Sequence, residues 1–104
     1  MKVKKLPEDF IVQVSDSIKL IGHAQRIRIL EYLDLNGESA VGAIAEGIGG
    51  HQAAVSQHLN KMRVSQVIAS RRDGKQMFYR ISSTSVTTIL ACIRKQYQAQ
   101  ATGR

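Results

Sequence analysis

The sequence predicts a mainly α domain that carries one β-hairpin, and three observations lead there. Apolar residues recur at helical spacing through most of the chain. An Asp-Gly pair interrupts two strand-like runs. The 104 residues leave room for one core only. Residues Pro7–Ile21 repeat Phe10, Val14, Ile18 and Ile21 at spacings of four, four and three, with Pro7 suited to a first turn. His23–Leu35 reads as a second helix. Its broad apolar face combines Ile27, Leu30, Tyr32, Leu33 and Leu35, with Ile29 beside it, and Asn36-Gly37 stops it. Glu38–Ile48 is a short helix of small residues around Val41, Ile44, Ala45 and Ile48. It ends at Gly49-Gly50, which permits left-handed backbone angles and a sharp turn. His51–Val64 is the next helix. Val67–Arg72 and Gln76–Ile81 read as strands on either side of Asp73-Gly74-Lys75. Val86, Ile89, Leu90, Ile93 and Tyr97 form the stripe of a closing amphipathic helix.

Helix, helix, short helix, helix, hairpin, helix is the order of a winged helix-turn-helix. The helix-turn-helix spans about 39–64 and the wing about 67–81. The terminal helices span about 7–21 and 83–98, all within a single domain over 1–104.

Composition narrows the function. Hydrophobic residues at 43% and charged residues at 22% exclude a disordered chain. No apolar run approaches the roughly 20 residues of a membrane span. MKVKK resembles the start of a signal peptide, but LPEDF interrupts it with a proline and two acids, so the expected location is the cytoplasm and no membrane partner is expected. The single cysteine, Cys92, closes no disulfide within the chain and builds no thiolate metal site alone.

Fifteen Lys and Arg against eight Asp and Glu give a net charge of +7, which points to an anionic partner, nucleic acid before membrane. The excess is uneven along the chain. Lys2, Lys4 and Lys5 make residues 1–5 strongly basic, whereas 6–50 are net acidic. In residues 51–80, Lys61, Arg63, Arg71, Arg72, Lys75 and Arg80 face only Asp73, and Arg94, Lys95 and Arg104 follow. The anion-binding surface is therefore expected in 51–80.

At about 100° per residue, Val55, Leu59 and Met62 form the inward stripe of His51–Val64. Gln52, Ala53, Ser56, Gln57, Asn60 and Arg63 lie on the opposite side. That face is uncharged at its start and basic at its end, which suits a helix entering the major groove from its N-terminal end. Gln pairs with adenine, Ser serves either base, and Ala touches a thymine methyl. Lys61 and Arg63 would reach phosphates. Arg71, Arg72 and Lys75 put three cations at the hairpin turn, placed for backbone or minor groove.

These residues carry a resemblance. HAQRIRILEYL resembles the helix opening D-P-T-R-L-R-I-L-x-x-L of the ArsR/SmtB family of bacterial winged-helix repressors. AVGAIAEGIGGHQAAVSQHLNKMR resembles that family's S-V-x-E-L-A-x-x-L-G-L-S-Q-S-x-V-S-Q-H-L-x-x-L-R, and RRDGKQMFYRI its R-R-E-G-R-x-V-Y-Y-x-L. The resemblance implies a homodimer, built from the first and last helices, on a palindromic DNA operator. Phe10, Val14 and Ile18 with Ile89, Ile93 and Tyr97 would be the dimer surface. Gln52, Ala53, Ser56 and Gln57 would approach bases. His51, Asn60, Lys61, Arg63, Arg71, Arg72 and Lys75 would contact the backbone or serve the wing.

Three positions depart from the family pattern. His51 stands where the family has a Ser cap, Gln66 where many members have Gly, and Ala24 where Pro is usual. The family's metal positions also lack donors. The segment from Ser39 to Ile44 has no Cys-x-Cys, and the helix from Ser83 to Tyr97 has no Asp, Glu or His. No metal or cofactor is therefore expected, and the sequence names no small-molecule effector. The resemblance is to the branch without metal sites, of the nodulation-repressor and haemolysin-activator type. Cys92 reads as a small buried or dimer-edge residue. His58 is expected beside the core or at a phosphate.

No nucleophile–base pair or phosphate-binding glycine loop supports an enzyme. The competing readings are a winged-helix module for protein or RNA, and a thiol-responsive regulator using Cys92. Aromatic residues at 5% argue against a stacking platform for single strands.

Overall fold

The computed structural model describes residues 4–102; Lys2 and Arg104, counted above among the terminal cations, lie outside them. Eight elements follow in order: α1 (Glu8–Ile21), α2 (Ala24–Asn36), β1 (Ser39–Ala40), α3 (Val41–Ile48), α4 (Gln52–Val64), β2 (Ile68–Asp73), β3 (Gln76–Ile81) and α5 (Thr84–Ala101). The mainly α winged helix-turn-helix read from the sequence is the architecture observed.

Pro7 caps α1 rather than entering its first turn, and Glu8 and Asp9 follow, favourable to the positive end of the helix dipole. His23 caps α2, its Nδ1 accepting the Gln25 N–H at 3.1 Å. The buried stripe of α2 is Ile29, Leu30 and Leu33. This corrects the expected face. Ile29 is fully buried, while Leu35 is 67% exposed and Ile27 also lies open to solvent. The stripe continues backwards at helical spacing to Arg26, a position that the apolar pattern hides.

The segment read as one helix from Glu38 begins instead as a short strand. Ser39 pairs with Tyr79 and Ala40 with Phe78, giving a sheet of order β1-β3-β2. Two residues leave no periodic trace, so the strand was invisible in the sequence. Gly49 then ends α3 at φ +69°, and the Gly50 N–H reaches back to the Ala45 carbonyl at 2.9 Å.

The same closure ends α4 with a different residue. The Val67 N–H donates to the Met62 carbonyl and the Gln66 N–H to that of Arg63, both at 3.0 Å. The left-handed position is Gln66, at φ +66°. Gln66 therefore takes, with a Cβ, the left-handed position for which glycine is better suited.

Ile29 and Leu30 of α2, Ile44 of α3, Val55, Leu59 and Met62 of α4 and Ile68 of β2 form the fully buried centre. Burying each contributes roughly 1.5–3 kcal/mol. Val86 and Leu90 of α5 close it, and Arg94 ties α5 to α2 through a 2.7 Å ion pair with Asp34. Only Ile21 of α1 is buried, so that helix leaves the body with its apolar face uncovered.

Candidate nucleic-acid interface

The sharp turn at Gly49-Gly50 delivers α4 to the surface with Val55, Leu59 and Met62 locked inward. That anchoring fixes which side chains point out. His51, Gln52, Ala53, Ser56, Gln57, Asn60, Lys61 and Arg63 are all exposed. His51 is the N-cap residue, yet its ring makes no capping bond, so the first amides of α4 stay open at the positive end of the helix dipole. Gln52 Oε1 stands 3.9 Å from where a Cβ on Gly42 would lie, so α3 leaves room beside it. Further along, the Arg63 guanidinium donates to Asn60 Oδ1 at 2.6 Å, which orders the basic end of the face.

The hairpin turn is displaced by one residue from the Asp-Gly reading. Asp73 still pairs with Gln76, so Gly74-Lys75 is the two-residue turn. Gly74 has φ +66° and Lys75 does not have a positive φ, the dihedral pattern of a type II′ hairpin. Cross-strand partners share a face. Arg71 opposes Phe78 and Arg72 opposes Met77, so the two arginines project from opposite faces of the wing.

They also differ in partners. The Glu38 carboxylate grips Arg71, and the Arg71 guanidinium lies 5.1 Å over the Phe78 ring. The Arg71 hydrogen bond holds the Glu38 carboxyl below its usual range, with Arg80 adding to the effect. Arg72 and Lys75 have no ion-pair partner among the described residues. The wing therefore presents two open cations, Arg72 and Lys75, while Arg71 and Arg80 are engaged by Glu38. Glu38 was missed in the sequence because it lies 33 residues from Arg71.

Arg26 was missed too. Its Nε donates to His58 Nδ1 at 3.1 Å, and the His58 ring packs against that of His23 at 4.8 Å. His58 thus faces inward beside the core. Burial, then the neighbouring Arg26, His23 and Lys61, push its pKa below 6.5.

Cys92 is exposed, which overturns the buried alternative for this thiol and is compatible with the dimer-edge one. Ile89 is half-buried against the core, whereas Phe10, Val14, Ile18, Ile93 and Tyr97 are open to solvent. Among the described residues, no group of three or more His, Cys, Asp or Glu side chains could hold a metal ion. No helix among them is long and apolar enough to cross a membrane.

Residues 23–69 match the model of the arsR family of bacterial regulatory proteins. The chain is 36% identical over 80 residues to the nodulation protein NolR of Rhizobium meliloti, covering 77% of this chain and 65% of that protein. It is 33% identical over 85 residues to the HTH-type transcriptional regulator KmtR of Mycobacterium tuberculosis, covering 82% of this chain and 65% of that one. The crystal structure of NolR from Sinorhizobium fredii superposes with a TM-score of 0.78 at 32% identity, covering 91% of this chain and 97% of that one. The chain belongs to the arsR family.

ArsR-family regulators of this kind are transcription factors rather than enzymes. The chain spans just under two thirds of the length of the two curated relatives above. A further structure shows the same fold alone. It is a possible ArsR-family regulator of Mycobacterium bovis, described as a homodimeric winged helix-turn-helix DNA-binding domain, with a TM-score of 0.79 at 24% identity, covering 98% of this chain and 96% of that one.

Proposed function

We propose that the chain is a sequence-specific regulator of transcription that binds double-stranded DNA as a homodimer on a palindromic operator and represses by occupying it. The observation that carries this reading is the graded face of α4. Its first half offers Gln52, Ala53, Ser56 and Gln57, which match base edges. Its end, and the wing, offer Lys61, Arg63, Arg72 and Lys75, which match phosphates. A partner in the major groove explains why the reading positions are uncharged while their surroundings are basic. The cytoplasm is where such a partner is met.

The homodimer rests on what α1 leaves open. Phe10, Ile11, Val14 and Ile18 are exposed along one helix, with Ile93 and Tyr97 exposed on α5. Between them Ile18, Ile21, Ile27, Leu30, Ile89 and Ile93 line an apolar hollow of about 330 Å³. A second copy covers such a surface symmetrically. It also places two α4 helices on successive turns of one face of the duplex.

Selection from a random duplex library, followed by mobility shift on the chain's own upstream region, tests the reading. An inverted repeat with half-sites roughly 10 base pairs apart supports it. Enrichment of no sequence, or preference for single-stranded RNA, overturns it.

A further inference from the structure

We propose that His58 is a positioning residue for DNA reading, holding α4 to the end of α1 through Arg26, and that protonating its ring loosens this joint and weakens binding. The inference rests on the DNA reading above and adds a regulation to it.

One guanidinium spans two helices. Arg26 Nη1 donates to the Leu20 carbonyl in the last turn of α1 at 2.7 Å, and Nε donates to His58 Nδ1 on α4 at 3.1 Å. Both bonds are partly buried, where loss of a partner costs more than at the surface. Because Nδ1 accepts, the neutral ring carries its proton on Nε2. A second proton has to enter at Nδ1. It turns the acceptor into a donor aimed at a guanidinium, so the bond is lost and two cations face each other.

Among the described residues, no acidic group acts on the ring to offset that. The titratable and charged groups acting on His58 are Arg26 of α2, His23 at the α1–α2 connection and Lys61 of α4. All of them disfavour a second positive charge. Burial works in the same direction, so the ring is neutral at pH 7 and titrates below 6.5.

The joint also lies where it matters for reading. Gln57 immediately precedes His58, and Ser56 and Gln52 stand on the same helix. The far end of the joint is α1, the proposed dimer helix. Two copies of α4 match two half-sites only if each is held at a fixed angle to the dimer axis.

The test compares the 104-residue chain with its His58→Asn variant, whose amide oxygen accepts from Arg26 and does not titrate. The probe is a fluorescein-labelled duplex recovered by the selection described above, read by anisotropy. The two proteins bind with similar affinity at about pH 7.5. By about pH 5.5 the unsubstituted protein is weaker than the variant by up to about tenfold, the ceiling for one ring that titrates below 6.5. Any pH dependence common to both proteins cancels in the ratio. A ratio that stays constant over this range overturns the proposal.

A second readout uses the unsubstituted protein alone. In an NMR titration, the amides of Ser56, Gln57 and Ile21 move with the midpoint of the His58 ring. Shifts confined to His58 overturn the joint. If neither protein binds any duplex at pH 7.5, the DNA reading itself falls and this inference falls with it.

Discussion

Glu38 holds Arg71 in a forked ion pair. The two carboxylate oxygens stand 2.9 and 3.0 Å from Arg71 Nε, and Oε1 stands 2.8 Å from Nη2. The pair fastens the wing to the residue just before β1. It also removes Arg71 from the set of wing cations that is open to DNA.

Breaking that pair should change how the wing meets phosphate. Glu38→Gln leaves the fold intact and releases Arg71, so affinity for random duplex rises. The magnitude of the salt slope grows by about one for each added phosphate contact. Anisotropy titrations at several salt concentrations check this. An unchanged slope would show that Arg71 stays on Phe78 without its carboxylate.

Gln66 occupies a left-handed position at φ +66°, where a Cβ is strained. Gln66→Gly relieves the strain but loosens the unfolded chain, and the balance favours the variant by about 0.5–1 kcal/mol. Urea unfolding measures it. A less stable glycine variant would mean that the Gln66 side chain supports the bend.

The uncovered apolar face of α1 predicts a dimer in the absence of DNA. Light scattering is expected to give twice the 11.5 kDa chain mass at micromolar concentration. Phe10→Glu buries a charge in that interface and shifts the mass to that of one chain. A native protein running as one chain contradicts the dimer.

The depressed His58 pKa gives stability a definite pH dependence. Above 6.5, folded and unfolded states are both neutral at this ring and it contributes no slope. As pH falls through 6.5 the unfolded state takes up the proton first, so stability declines until the folded ring protonates as well. His58→Asn removes this decline. Denaturant midpoints measured at a series of pH values check it, and parallel curves for the two proteins would contradict it.

The elements most legible in the sequence were those whose signal is local. Val55, Leu59 and Met62 mark the inward side of α4 by spacing alone, and their burial fixes its outward face. Asp73-Gly74 announces the hairpin but not its register, because the ladder closes one residue earlier and leaves Gly74-Lys75 as the turn. On α2, apolar residues on several sides obscure the true stripe. Its fourth member is Arg26, whose side chain is partly buried only because His58 and the Leu20 carbonyl satisfy it. Glu38–Arg71 and Arg26–His58 join residues more than thirty apart, and no linear pattern reports such pairs.

The central claim is that α4 reads bases while the wing grips backbone, and paired alanine substitutions test it most directly. Anisotropy is measured for Gln52→Ala and Arg72→Ala on the selected operator and on random duplex at several salt concentrations. Gln52→Ala is expected to cost roughly 1–3 kcal/mol on the operator and much less on random DNA. Arg72→Ala is expected to weaken both by similar factors and to lower the magnitude of the salt slope by about one. Equal losses on all sequences for Gln52→Ala, with an operator-only loss for Arg72→Ala, would make the wing the reader and contradict the account.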